Sequence, residues 1–159
     1  MRIAFSTDGK SFEEPRIIAT PKNFSSGIAT LLQGAKEVAR ARRITEVCGG
    51  VPGPLDPSGN ALLSSPHLPG WAGKPLREEL RSAFGVPLYL MNDTALVGLG
   101  EAVVGAGKGH PIVAYLGVGT GVGGVRVVDG SIDKARIGFE PGHQIIDRGG
   151  AHCKMCAGG

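Results

Sequence analysis

Aromatic residues are scarce in this chain: five Phe, two Tyr and one Trp among 159 residues. They are scattered, and no run of Lys or Arg accompanies them. The net charge of +3 and a pI near 8.9 are mild, so the electrostatic footprint of a nucleic-acid binder is missing. No apolar stretch approaches the ~20 residues of a membrane span. The opening MRIAFSTDGK lacks the apolar region of a signal peptide. Cysteine is scarce as well. Of three Cys, two form a C-x-x-C pair, which fits a metal and a reducing cytoplasm better than a disulfide framework. A cytoplasmic protein with no nucleic-acid or membrane partner is expected.

Glycine, by contrast, is abundant at 27 residues, well above ordinary usage. The glycines are not periodic as in collagen but cluster at the ends of apolar runs, where turns are needed. A hydrophobic fraction of 42% and a charged fraction of 19% are those of a globular chain. The length gives one domain, or one and part of another, and can bury a core.

Arg2 to Ser6 reads as a short strand, followed by a hairpin-turn signal at Thr7-Asp8-Gly9-Lys10 and a second strand near Arg16 to Thr20. Ser25 or Ser26 can cap a helix with Ile28, Leu31, Leu32, Ala35 and Val38 at helical spacing. Ile44 to Cys48 reads as a strand, with Cys48 a core residue. Gly50 to Trp71 is a long Pro-, Gly- and Ser-rich loop of the kind that is usually functional. Pro75 as first helical residue and Gly85 as stop bracket a helix over Leu76 to Phe84. Val86 to Met91 is a strand, Asp93 can cap a helix to about Gly105, and Ile112 to Leu116 and Val125 to Val128 are strands. Asp129-Gly130 turns the last of these. Strands alternating with helices predict an α/β domain with a mainly parallel sheet.

Gly117-Val-Gly-Thr-Gly-Val-Gly-Gly124 contains G-x-G-x-x-G, but a dinucleotide site needs a helix next. The next residues, Val125 to Val128, read as a strand instead, and no Lys-Ser or Lys-Thr completes a Walker loop. Two readings remain: a tight hairpin with no ligand, or a hairpin whose amides and Thr120 hydroxyl cradle phosphate oxygens.

Asn92 and Asp93 stand just past the end of an apolar strand, where open α/β sheets bind ligands. Asp93 can take a proton from a hydroxyl attacking a phosphoryl group, or simply cap its helix. Asn92 offers a donor and an acceptor to a polyol. Farther on, Pro and Gly force a turn between Glu140 and His143, so both can face one cavity. His143, Cys153 and Cys156 have the donor types and spacing of a zinc knuckle, against the plainer reading of unrelated free thiols.

Together these stretches resemble the ROK family of sugar kinases, the bacterial glucokinase-like group of the actin-like ATPase superfamily. The matching segments are GGVPGPLD (Gly49 to Asp56), SPHLPGW (Ser65 to Trp71), MNDTALVGLGEA (Met91 to Ala102), LGVGTGVGG (Leu116 to Gly124) and GFEPGHQIID (Gly138 to Asp147), in the family's order. The resemblance implies an ATP-dependent hexose kinase, or else a sugar-binding regulatory member. Asp93 would be the catalytic base, Asn92, Glu140 and His143 would bind the sugar, and Gly119, Thr120 and Gly121 would hold ATP phosphates with Mg as counter-ion. His143, Cys153 and Cys156 would share a structural zinc. A homodimer is implied for the full-length protein.

The implied architecture is the actin-like small lobe over residues 1–110, lacking its first strand, then the start of the second lobe over 111–159. Family members open with a strand ending in Asp-x-Gly-Gly-Thr, whereas MRIAFSTDGK resembles the family's second strand. The family's zinc motif, Cys-x-Cys-Gly and a third Cys followed by Glu, is met here only by Cys-Lys-Met-Cys. His67 stands where the family commonly has Asn. The implied first strand would lie inside the sheet, so its absence would leave open edges that recruit other chains.

Overall fold

The computed structural model describes residues 1–65, 67–119, 121–133, 139 and 141–150. The chain divides into two compact units, Met1–Asn92 and Asp93–Gly159.

In the first unit, β1 (Arg2–Ile3) pairs antiparallel with β2 (Arg16–Ile17). Both are shorter than the sequence suggests. The connection is a wide excursion, not a two-residue hairpin turn. Asp8 holds its own turn inside it, accepting the Lys10 and Ser11 N–H groups, each at 2.8 Å. Helix α1 (Phe24–Ala39) starts at Asn23, whose Oδ1 accepts the Ser26 N–H at 3.0 Å. Asn23 therefore does the capping expected of Ser25 or Ser26. The ridge Ile28, Ala35 and Ala39 is buried, with Gly34 against Ile3 and Ile18. After the helix, Arg42 forms an ion pair with Glu13 and lies 3.8 Å over the Phe5 ring.

Strand β3 (Val47–Val51) pairs in parallel with β4 (Leu88–Asn92), in register from Val47↔Leu88 to Val51↔Asn92. It begins later than the sequence suggests. Alternation along β3 turns Val47 and Val51 toward the core and Cys48 to the exposed face. Cys48 is thus not the core residue expected. Burial, then the charge of Glu46, pushes its thiol pKa up.

The long segment between β3 and α2 (Leu76–Phe84) is core as much as loop. Leu62, at 1% exposure, and Trp71 join Ile28, Val51, Leu76, Leu80 and Leu88 in one apolar cluster. Trp71 stands edge-on to Phe24, ring centroids 5.4 Å apart, and donates its indole N–H to Pro21 O at 3.0 Å. Gly27 lies under that ring, where a Cβ would collide with it. Pro75 occupies the N-cap of α2 rather than its first turn, and Gly85 closes the helix at φ 63°.

In the second unit, α3 (Asp93–Val103) covers β5 (Ile112–Val118) and β6 (Val122–Val128). Gly98 lets α3 approach Val125 and Tyr115. Ala102, Val125 and Val127 form the core. A turn at Asp129 (φ 47°) and Gly130 (φ 73°) adds β7 (Ser131–Ile132), a strand the sequence pattern does not reveal. Among the described residues only β3–β4 is parallel; β1–β2 and β5–β6–β7 are antiparallel. The expectation of a mainly parallel sheet fails because tight turns make hairpins of β5, β6 and β7.

Candidate functional site

Asn92 ends β4 beside Val51, and its Nδ2 donates to Gly53 O at 3.3 Å. Gly53 has φ 148°, and a Cβ there would collide with Ser64 O. Only glycine fits a backbone held this way between two prolines. The rest of the loop is tied from within. Asp56 accepts the Ser58 hydroxyl at 2.8 Å and the Asn60 N–H at 2.7 Å, and Leu55 bridges Leu62. The Ser58 hydroxyl, then the neighbouring backbone N–H groups, hold the Asp56 carboxyl below its usual range. Sequence reasoning singles out Asn92 but misses its anchor, the Gly53 carbonyl. The Pro-Gly-Pro run at 52–54 is the signal for it. His67 is exposed.

Asp93 opens α3 with an exposed side chain. Its Oδ1 accepts the N–H of the next residue, Thr94, at 2.8 Å. A conventional N-cap reaches two or three residues ahead. One carboxylate oxygen is therefore engaged locally while the side chain stays open to solvent, as a proton acceptor requires.

The glycine segment is a hairpin, with Leu116↔Gly124, Gly117↔Gly123 and Val118↔Val122 in register. A strand succeeds it, which removes the dinucleotide reading. Its glycines divide by what surrounds them. A Cβ on Gly124 would lie 2.8 Å from both Tyr115 O and Phe139 Cδ1, and one on Gly123 would lie 3.2 Å from Thr94 Oγ1. Those two glycines serve packing. Among the described residues nothing lies within 4 Å of a Cβ added to Gly119 or Gly121, and neither adopts positive φ. Among the described residues neither packing nor backbone conformation asks for glycine there. The main chain at these two positions is open to close approach. The Gly119 N–H is spent inside the tip, on Gly121 O at 2.8 Å.

Pro141–His143 is a single 3-10 turn, as the Pro-Gly pair predicts, and Gly142 abuts Val122 beside the tip of the hairpin. Thr120, Glu140, Cys153, Cys156 and the His143 side chain lie outside the described residues. Among the described residues no three His, Cys, Asp or Glu gather as metal ligands. No helix among them is long and apolar enough to cross a membrane.

Comparison with known proteins gives this geometry its context. A ROK hexokinase from Thermus thermophilus superposes with a TM-score of 0.81 at 29% identity, covering 97% of this chain and 56% of that one. The architecture is thus the mixed α/β fold of the actin-like ATPases, in part. The sequence profile of the ROK family matches residues 2–158, and the chain belongs to that family. A glucokinase from Thermotoga maritima is 36% identical over 119 residues, 74% of this chain and 38% of the glucokinase. A xylose repressor from Caldicellulosiruptor bescii is 34% identical over 101 residues, 62% of this chain and 25% of the repressor. The matched stretch thus covers well under half the length of either relative.

Proposed function

We propose that the chain carries the sugar- and phosphate-handling part of an ATP-dependent hexose kinase. The observation that carries this reading is Asp93: an open carboxylate immediately after Asn92, which is itself fixed at the end of a parallel strand by Gly53. ATP supplies the phosphoryl group, and Mg2+, when bound, would neutralise charge on its phosphates. Asn92, Glu140 and His143 bind sugar hydroxyls and orient one of them. Asp93 accepts that hydroxyl's proton as its oxygen forms the bond to the γ-phosphorus and ADP leaves. The open backbone at Gly119 and Gly121, with the Thr120 hydroxyl, admits the phosphate chain. His143, Cys153 and Cys156 supply donor types suited to a structural zinc, which would steady the sugar-binding segment.

The likeness to the glucokinase supports this reading; the likeness to the repressor supports a second, sugar binding without turnover. ADP release measured against a panel of hexoses separates them. Sugar-dependent ADP release is expected. Saturable sugar binding with no release at any ATP concentration would favour the regulatory reading.

A further inference from the structure

At the other end of β4 from Asn92, some 13 Å along the strand, lies an open groove of about 540 Å³ lined by Arg77, Arg81, Val86, Pro87, Leu88 and Tyr89 among others. Its chemistry is one-sided. Arg77 and Arg81 are four residues apart and share a face of α2. Val47 N–H bonds to Pro87 O, so alternation in the parallel ladder turns the main-chain groups of Leu88 and Leu90 to the outer edge. Arg77 lies across that edge. Its Nε donates to Gly59 O at 2.7 Å, Nη1 to Leu88 O at 3.4 Å and Nη2 to Leu90 O at 3.3 Å.

All three acceptors are neutral, and a guanidinium has five N–H groups. Two donors and the full charge remain. The ion pairs among the described residues are Arg16–Glu37, Arg42–Glu13 and Arg126–Asp133, so neither groove arginine meets a carboxylate there. The carbonyls of the edge are taken up by Arg77, while the outward N–H groups of Leu88 and Leu90 have no partner among the described residues. The groove thus presents cations and donors, beside an apolar wall that includes Tyr89, 55% exposed.

We propose that this groove binds a small anion of the phosphate class, with an apolar body resting on Val86, Pro87 and Tyr89. Guanidinium forks take phosphate oxygens in pairs, and Arg77 is already held in place by its carbonyl bonds. The groove shares no residue with the site assigned to sugar and ATP and does not depend on that assignment.

Fluorotyrosine labelling gives a local readout, because the chain has two Tyr, and Tyr115 lies in the other unit and serves as control. Inorganic phosphate, phenyl phosphate and phenol are titrated separately. The Tyr89 fluorine signal is expected to shift saturably with phenyl phosphate at or below ~1 mM, more weakly with inorganic phosphate, and not with phenol. If inorganic phosphate binds as tightly as phenyl phosphate, the apolar half of the proposal is wrong. Arg81→Gln is expected to weaken phenyl phosphate about tenfold or more, and Arg81→Lys to restore part of it. No shift of Tyr89 up to ~10 mM, or identical titration of the Arg81→Gln and Arg81→Lys variants and the parent, overturns the site. Unchanged emission of Trp71, which packs in the same core as Leu76, Leu80 and Leu88, shows that the unit holding the groove is folded in each variant.

Discussion

The hairpin glycines divide by their surroundings, and substitution should expose the division. Gly124→Ala forces a methyl against Tyr115 O and Phe139, an overpacking that costs about 1–3 kcal/mol. A clear fall in Tm is expected. Gly121→Ala meets no described residue within 4 Å, so its Tm should stay near the parent's while the KM for ATP rises. If Gly121→Ala lowered Tm as much as Gly124→Ala, the tip glycine would be structural and the phosphate reading would lose its support.

Asp56 gives a pH test at the same scale. Its carboxyl is held below the unfolded value of 3.8 by Ser58 and backbone N–H groups. A depressed carboxylate contributes stability that is fully present above the unfolded pKa and is lost as pH falls through the folded one. Asp56→Asn should therefore flatten the fall in stability below about pH 4, measured by denaturant titration at successive pH values. An unchanged slope would show that Asp56 does not hold the loop.

Among the elements, Trp71 joins the long loop to α1. It packs edge-on to Phe24, bonds Pro21 O and roofs Gly27. Gly27→Ala should displace the ring, lower Tm and red-shift the emission of the single tryptophan. Unaltered emission would mean that the loop is not seated there. Much at this scale is legible in the sequence. The 3.6-residue spacing of Ile28, Leu31, Leu32 and Ala35 marks α1, and Pro75 with Gly85 brackets α2, because both signals are local. The Asn23 cap escapes notice because Ser25 and Ser26 compete for the same role and only backbone geometry decides. Cys48 is misplaced because burial on β3 depends on which neighbours cover each face. Strand β7 has two residues, too few for any period. Asn92 and Asp93 are legible as the polar end of an apolar run. The Gly53 carbonyl that anchors Asn92 is marked only by the Pro-Gly-Pro run at 52–54, which signals an unusual backbone but not which side chain its carbonyl meets.

Across the whole molecule, the described strands leave edges and faces uncovered. β1–β2 and β3–β4 are separate two-stranded sheets, and isolated pairs of strands are marginal in water. On β5, Ile112, Leu116 and Val118 are exposed, Val118 at 82%. Open edges and apolar faces recruit other chains. The 159-residue chain, produced by itself, should associate, with a sedimentation average that rises with concentration. A sharp, reversible melt of a monomer, independent of concentration, would contradict this.

The kinase reading rests on Asp93, and its most direct test is sugar phosphorylation by the protein with and without Asp93→Asn. The substitution keeps the size and an oxygen for the Thr94 N–H but removes the proton acceptor. Turnover should fall about 10²- to 10⁴-fold, with sugar affinity little changed. Turnover retained by Asp93→Asn would show that Asp93 is not the base and only begins its helix.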